Sequence, residues 1–206
     1  VSKLGENARY MVADVSTKES VNHLISDIRE NEGRLDGMFV NAGGPSPGKF
    51  SELSEADWER AFQLTLMSTV RLTKEAIPLL SKSDSPVILY NTSISVKQPI
   101  GNLLLSNSMR PAVIGMMRTF AEETEGRIRV NAICPGYINT ERVKELMEAS
   151  GEPAQSRARI TSSIPLGRMG EPKEFGAVCT FLLSPVSSYV HGTLLLVDGG
   201  LYKGMM

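Results

Sequence analysis

Three small hydroxyl residues, Thr92, Ser93 and Ser95, follow directly on the short apolar run Val87–Asn91. That run is β-rich, long enough for a buried strand and too short for a helix. The hydroxyls therefore stand at a strand's carboxyl end, the edge where open α/β sheets bind their ligands. Ser106 comes thirteen positions after Ser93, and Arg110 four after Ser106, a spacing that puts the last two on one face of a helix. This is a set for holding polar groups rather than for moving protons. An aliphatic hydroxyl is a weak acid that needs an adjacent base, and a guanidinium stays protonated. His23 falls on a helix and His191 in a late turn, both away from the Ser93 edge.

Composition narrows the class. With 206 residues, 41% of them hydrophobic, and a formal net charge of -1, the chain reads as one globular domain with a full-sized core. A charge so near zero gives no reason to expect nucleic acid or an anionic membrane as partner. No apolar run approaches the roughly 20 residues of a membrane span. Cys134 and Cys179 form no metal or redox motif, and two thiols so far apart suit a reducing compartment. A cytoplasmic protein with no signal peptide and no metal is expected. The ten methionines are read as core filler.

The elements that must position the hydroxyls alternate. Arg9–Ala13 is a strand candidate ending in Asp14-Val15, after which Ser16 or Thr17 caps a helix carrying Val21, Leu24, Ile25 and Ile28 on one face. Leu35–Val40 is a second strand and runs into Asn41-Ala42-Gly43. Ser54 caps a long helix through roughly Leu80, with Trp58, Phe62, Leu66, Val70 and Ile77 at helical spacing. The central strand and the Ser106–Glu123 helix follow. Pro111 lacks a backbone donor, so that helix is expected to begin late or bend there. Ile128–Ile133 is a strand leading into Cys134-Pro135-Gly136, Pro172–Leu183 a helix, and Thr193–Val197 a last strand before Asp198-Gly199-Gly200. Strands alternating with helices at this spacing predict an α/β fold, a Rossmann-like, doubly wound parallel sheet in a single domain.

Taken together the motifs resemble those of the short-chain dehydrogenase/reductase family, and the likeness covers nearly all of the chain. The resemblance rests on Asn41-Ala42-Gly43, on Ser93, and on Pro135-Gly136-Tyr137-Ile138-Asn139-Thr140. Gly167-Arg168-Met169-Gly170-Glu171-Pro172 and Val197-Asp198-Gly199-Gly200 add to it, mainly as structural turns. It implies that Ser93 is the catalytic serine, and that Ser106 and Arg110 stand where the family has its tyrosine and lysine. Thr65, seven residues past Trp58, stands where the family has an asparagine. It further implies NAD or NADP as cofactor. Asp14 and Val15 would contact adenine, Asn41, Ala42 and Gly43 the ribose, and Pro135, Gly136, Ile138 and Thr140 the nicotinamide. Arg110 would hold ribose hydroxyls. The front departs from the family pattern, because no glycine-rich turn precedes Asp14. The expectation is a chain lacking the family's first βαβ unit, and so a fragment of the working protein. The rival expectation is that Arg9–Ala13 pairs beside Leu35–Val40 in a smaller sheet.

Three functional readings follow. One is an NAD(P)-dependent oxidoreductase interconverting an alcohol and a ketone, 3-oxoacyl reductase-like, with an altered proton donor. Tyr137, Tyr90 or a water held by Ser93 and Ser106 would then supply the proton, Tyr90 being read as a core residue of its strand. The others are a dinucleotide-binding protein without turnover, acting as a regulatory or structural partner subunit, and a purely structural relative that binds no cofactor. By resemblance the substrate is a small-molecule or acyl-chain carbonyl compound, and the polar segment Glu141–Pro165, with Met147 and Ile160, is its lid. A homodimer or homotetramer paired through the two long helices is implied.

Overall fold

The computed structural model describes residues 4–148 and 151–205. Four strands form one parallel sheet in the order β1 (Gly37–Val40), β2 (Val87–Asn91), β3 (Arg129–Pro135) and β4 (Leu194–Val197). Val40 stands beside Tyr90, Tyr90 beside Ala132, and Ala132 beside Leu194. Side chains alternate across the pleat, and both faces are covered. Ile88, Tyr90, Val130 and Ala132 face a core built from α1 (Lys18–Asn31), α3 (Ser68–Leu80) and α4 (Leu104–Glu123). Leu89 and Ile133 point the other way, onto Cys179 and Leu182 of α7 (Pro172–Leu183). The doubly wound arrangement follows from strands that are apolar at successive positions. Each fully buried Leu or Ile contributes about 1.5–3 kcal/mol.

Helix starts obey local capping chemistry. Thr17 caps α1, its side chain accepting from the Ser20 amide, and Val21 and Ile25 are buried as the spacing requires. Ser54 and Asp57 form a capping box at the start of α2 (Glu55–Ala61). That helix continues to Leu80, but not as one regular α-helix: Phe62–Met67 is a π-helical turn before α3 resumes. The wider turn shifts the inward stripe. Ala61, Thr65, Ser68, Thr69, Leu72, Thr73, Ala76, Leu79 and Leu80 are the buried residues, whereas Trp58, Phe62, Leu66, Val70 and Ile77 are half-buried. Small side chains dominate this stripe from Ala61 to Ala76, where the helix packs closely, and Leu79 and Leu80 close its end.

Three expectations need correction. Arg9–Ala13 is not a strand; it runs unpaired over the surface, with Tyr10 and Val12 exposed, and does not pair beside β1. A strand needs a partner for its amides and carbonyls, and this segment is held instead by Arg9, which pairs with Asp27 and Glu32 of the α1 region. The helix carrying Arg110 does not begin late: it starts at Leu104 and continues through Pro111. One missing donor is tolerated because Leu105 and Ser106 are buried and Asn107 is pinned to both backbone groups of Ile100. Strand limits also move slightly: β1 starts at Gly37 rather than Leu35, β3 covers Arg129–Pro135, and β4 starts at Leu194.

The carboxyl ends of all four parallel strands open on the same side. There α5 (Glu141–Glu148) and α6 (Pro153–Ser163) fold over the loop after β3. No helix among the described residues is long and apolar enough to cross a membrane.

Candidate active site

The strand ends are braced before they are decorated. Asn91 Nδ2 donates to Asn41 Oδ1 at 2.7 Å, joining the ends of β2 and β1. Beyond β2 the chain stays extended through Ser93, whose Oγ accepts from the Ser95 amide at 3.1 Å and so starts a short 3-10 turn. The Ser95 and Ser106 hydroxyls are 3.3 Å apart, which links that turn to α4. Arg110 Nε donates to Ser106 Oγ at 3.1 Å, and its Nη1 donates to the carbonyls of Asn91 (3.3 Å) and Thr92 (2.9 Å). Burial pushes the Arg110 pKa down. The guanidinium therefore serves largely to close the end of β2, and it leans on no carboxylate among the described residues.

The segment after β3 is built by close backbone approach. A Cβ on Gly136 would stand 2.8 Å from Cβ and 2.9 Å from Cα of Asp198, so only glycine fits against the turn after β4. Asn139 N donates to the Gly170 carbonyl and Gly170 N to that of Tyr137, which ties the Pro135–Thr140 loop to the segment leading into α7. The Thr140 carbonyl then accepts from the amides of Val143 and Lys144 and opens α5.

A cavity of about 430 Å³ lies between these segments. It brings together Asn41, Ala42, Gly43, Ser93, Ser106, Arg110, Pro135, Gly136, Tyr137, Ile138 and Thr140 from four separate stretches of sequence. Arg142, Ile100, Leu103, Leu146 and Phe175 also line it. They carried no signal in the sequence, since apolar residues on helices and a lone arginine in a polar segment have no diagnostic spacing. Arg142 Nη2 donates to the Pro45 carbonyl across the cavity's rim.

Three residues fall outside this cavity. Thr65 lines a small recess behind it, next to Asn91 and Arg110, with its Oγ1 buried and unpartnered. Val15 lines a neighbouring apolar cavity that shares Asn41 and Ala42 with the main one. Asp14 accepts from both the amide and the hydroxyl of Ser16, a turn-forming role that holds its pKa below the usual carboxylate range.

Two tyrosines separate clearly. Tyr90 is buried in the core with its hydroxyl 2.8 Å from Thr73 Oγ1, and burial pushes its pKa up to about 12. It is a core residue with no access to the cavity. Tyr137 lines the cavity, and it packs against Met147, Ile164 and Met169. Burial raises its pKa, while the charge of Arg159 acts in the opposite sense. His191 is structural: Nδ1 accepts from the Val130 amide and Nε2 faces the Ala121 carbonyl at 2.8 Å. Burial pushes the Cys134 thiol up, beside the Thr92 hydroxyl. No cluster of metal-ligating side chains occurs among the described residues.

The residues present fit the nicotinamide half of a dinucleotide. Gly43 faces open space, where a Cβ would meet nothing within 4 Å, and so leaves backbone accessible at the strand end. The loop from Pro135 to Thr140 offers further backbone groups and a hydroxyl.

A family model described as enoyl-(acyl carrier protein) reductase matches residues 1–202. The chain is 35% identical over 193 residues to the 3-oxoacyl-[acyl-carrier-protein] reductase FabG of Thermotoga maritima, covering 92% of this chain and 75% of that protein. Among solved structures, the aldohexose dehydrogenase of Thermoplasma acidophilum superposes with a TM-score of 0.89 at 28% identity, covering 95% of this chain and 80% of that one. An NADPH-bound short-chain oxidoreductase of Pseudomonas aeruginosa, described as containing an atypical catalytic centre, gives 0.85 at 27% identity, covering 94% and 76%.

Proposed function

The chain belongs to the short-chain dehydrogenase/reductase family, and from that premise we propose that it is an NAD(P)-dependent oxidoreductase interconverting a ketone and an alcohol. The observation that carries the reading is the single cavity joining Asn41-Ala42-Gly43, Ser93 and the Pro135–Thr140 loop at the carboxyl edge of the sheet. Asn41, Ala42 and Gly43 hold the ribose, and Pro135, Gly136, Ile138 and Thr140 hold the nicotinamide ring. Val15, at the rim of the neighbouring cavity, and Asp14 receive the adenine end. When bound, the nicotinamide supplies the hydride that converts a carbonyl carbon into an alcohol carbon.

The chain's own residues supply the rest. Ser93 donates to the substrate's carbonyl oxygen. Ser106 and Arg110 fill the positions of the family's tyrosine and lysine, and together they organise the strand end rather than deliver a proton. Tyr137 is the one phenol lining the cavity among the described residues, and it gives up the proton that the new alkoxide takes. A phenol with a pKa kept high by burial stays protonated across the neutral range, as a proton donor for carbonyl reduction must. The substrate is a small-molecule or acyl-chain carbonyl compound. Half-buried Trp58, Phe62 and Val70 on the long helix favour pairing of copies as a homodimer or homotetramer.

The test is consumption of reduced cofactor with a panel of carbonyl compounds, by the native chain and by Tyr137→Phe. Turnover that depends on a carbonyl compound and falls sharply in the variant supports the reading. Full turnover in the variant removes Tyr137 as the acid. A second reading, dinucleotide binding without turnover, is favoured by one observation: the Arg110 guanidinium is committed to Ser106 and two main-chain carbonyls. Cofactor binding without consumption across the panel would establish it.

A further inference from the structure

The cavity at the strand ends continues outward. A second cavity of about 290 Å³ shares Ile100, Leu103, Tyr137, Val143 and Leu146 with the first and runs between α5 and α6. Among the described residues its walls are apolar apart from a few uncharged polar groups, and one charged side chain lines it, Arg159. Among the described residues no aspartate or glutamate lines either cavity, whereas Arg110 and Arg142 line the inner one. Arg159 forms no ion pair among the described residues, unlike Arg142, which has Glu145 at 3.6 Å. Arg159 and Tyr137 line this same outer cavity. Arg159 is exposed, so an apolar passage is lined on its solvent side by a cation without a carboxylate, an arrangement that can receive an anion carried on an aliphatic stem.

We propose that Arg159 is a specificity-determining residue that binds an anionic group, a carboxylate or a phosphate, at the end of the substrate remote from its carbonyl. This rests on the oxidoreductase reading for the carbonyl and adds the anion. The substrate is then a keto acid or a keto phosphate. Its aliphatic stem lies against Leu103, Leu146 and Ile160, its anion meets Arg159 at the mouth, and its carbonyl oxygen lies under Ser93 and Tyr137.

The test compares levulinate with its neutral ethyl ester, and dihydroxyacetone phosphate with dihydroxyacetone. Calorimetric binding and cofactor consumption are both followed, for the native chain, Arg159→Gln and Arg157→Gln. Arg157 is exposed on the same helix and lines neither cavity, so its variant controls for net charge. A charge-assisted hydrogen bond is worth at least about a tenfold preference. At least one acid should bind, and show a kcat/KM, about tenfold or more above its neutral counterpart. That preference should vanish in Arg159→Gln through KM and persist in Arg157→Gln. Whichever acid shows the larger preference identifies carboxylate or phosphate. Equal binding of acid and neutral compound, or a preference that survives Arg159→Gln, overturns the proposal. If no compound consumes cofactor, the oxidoreductase reading fails, and calorimetry alone still decides whether Arg159 selects the anion.

Discussion

Replacing Arg110 by Met tests whether this guanidinium is a fastener of the strand end rather than a proton-relaying partner. The side chain makes three hydrogen bonds: to Ser106 Oγ at 3.1 Å and to the carbonyls of Asn91 and Thr92 at 3.3 and 2.9 Å. Each bond from a charged donor contributes about 1.5–3 kcal/mol. Against that stands the cost of burying a guanidinium without a carboxylate, several kcal/mol, which Met does not incur. The longest of the three bonds lies at the weak end of the range. The balance is a destabilisation of about 2 kcal/mol, roughly a thirtyfold loss in the folding equilibrium constant at about 1.4 kcal/mol per tenfold. Arg110→Lys keeps the burial cost and gives up at least one bond, because a single ammonium cannot span three acceptors set around a planar fork, so it should lose about 1.5–3 kcal/mol. Urea unfolding at neutral pH reads both as a lowered midpoint with an unchanged slope. A midpoint equal to or above that of the native chain would refute the reasoning. So would a Lys variant as stable as the native chain.

Other outcomes follow from the same geometry. Tyr137→Phe should lower the rate of carbonyl reduction by about 10²–10⁴-fold with little change in KM, as loss of a general acid does. The competent form for reduction is the protonated phenol, and burial raises its pKa, so the rate should stay flat through neutral pH and fall only above the ordinary phenol value of about 10. An inflection between about pH 6 and 8 would implicate an imidazole instead. Tyr90→Phe leaves the buried Thr73 hydroxyl without its partner, so it should cost about 1 kcal/mol in urea and leave turnover intact. Arg129→Met removes donors from the carbonyls of Leu182, Ser184 and Ser187 at the end of α7; a loss of about 2–4 kcal/mol in the same assay is expected.

Much of this was legible because the informative residues are constrained by backbone geometry. Gly136 must be glycine against Asp198, and Asn41 must reach Asn91, so both sit in recognisable short motifs. Strands buried on both faces read as continuous apolar runs, which made β2 unmistakable. The π turn at Phe62–Met67 was not legible: the apolar spacing predicts a regular helix, and the buried residues around the turn, Ala61, Thr65, Ser68 and Thr69, carry no hydrophobic signal. Arg9–Ala13 has the composition of a strand, yet pairing depends on a neighbour, which local sequence does not encode. Arg159 and Arg142 reach the cavities only because α5 and α6 fold back over the loop after β3, a tertiary event with no local signature.

The most direct measurement is the absorbance of reduced nicotinamide when the purified chain is given NADH or NADPH, with and without levulinate, dihydroxyacetone phosphate and their neutral counterparts. Saturable consumption that requires the carbonyl compound and yields one alcohol for each cofactor oxidised is expected. Cofactor that binds and is never consumed would contradict it and leave a dinucleotide-binding protein without turnover.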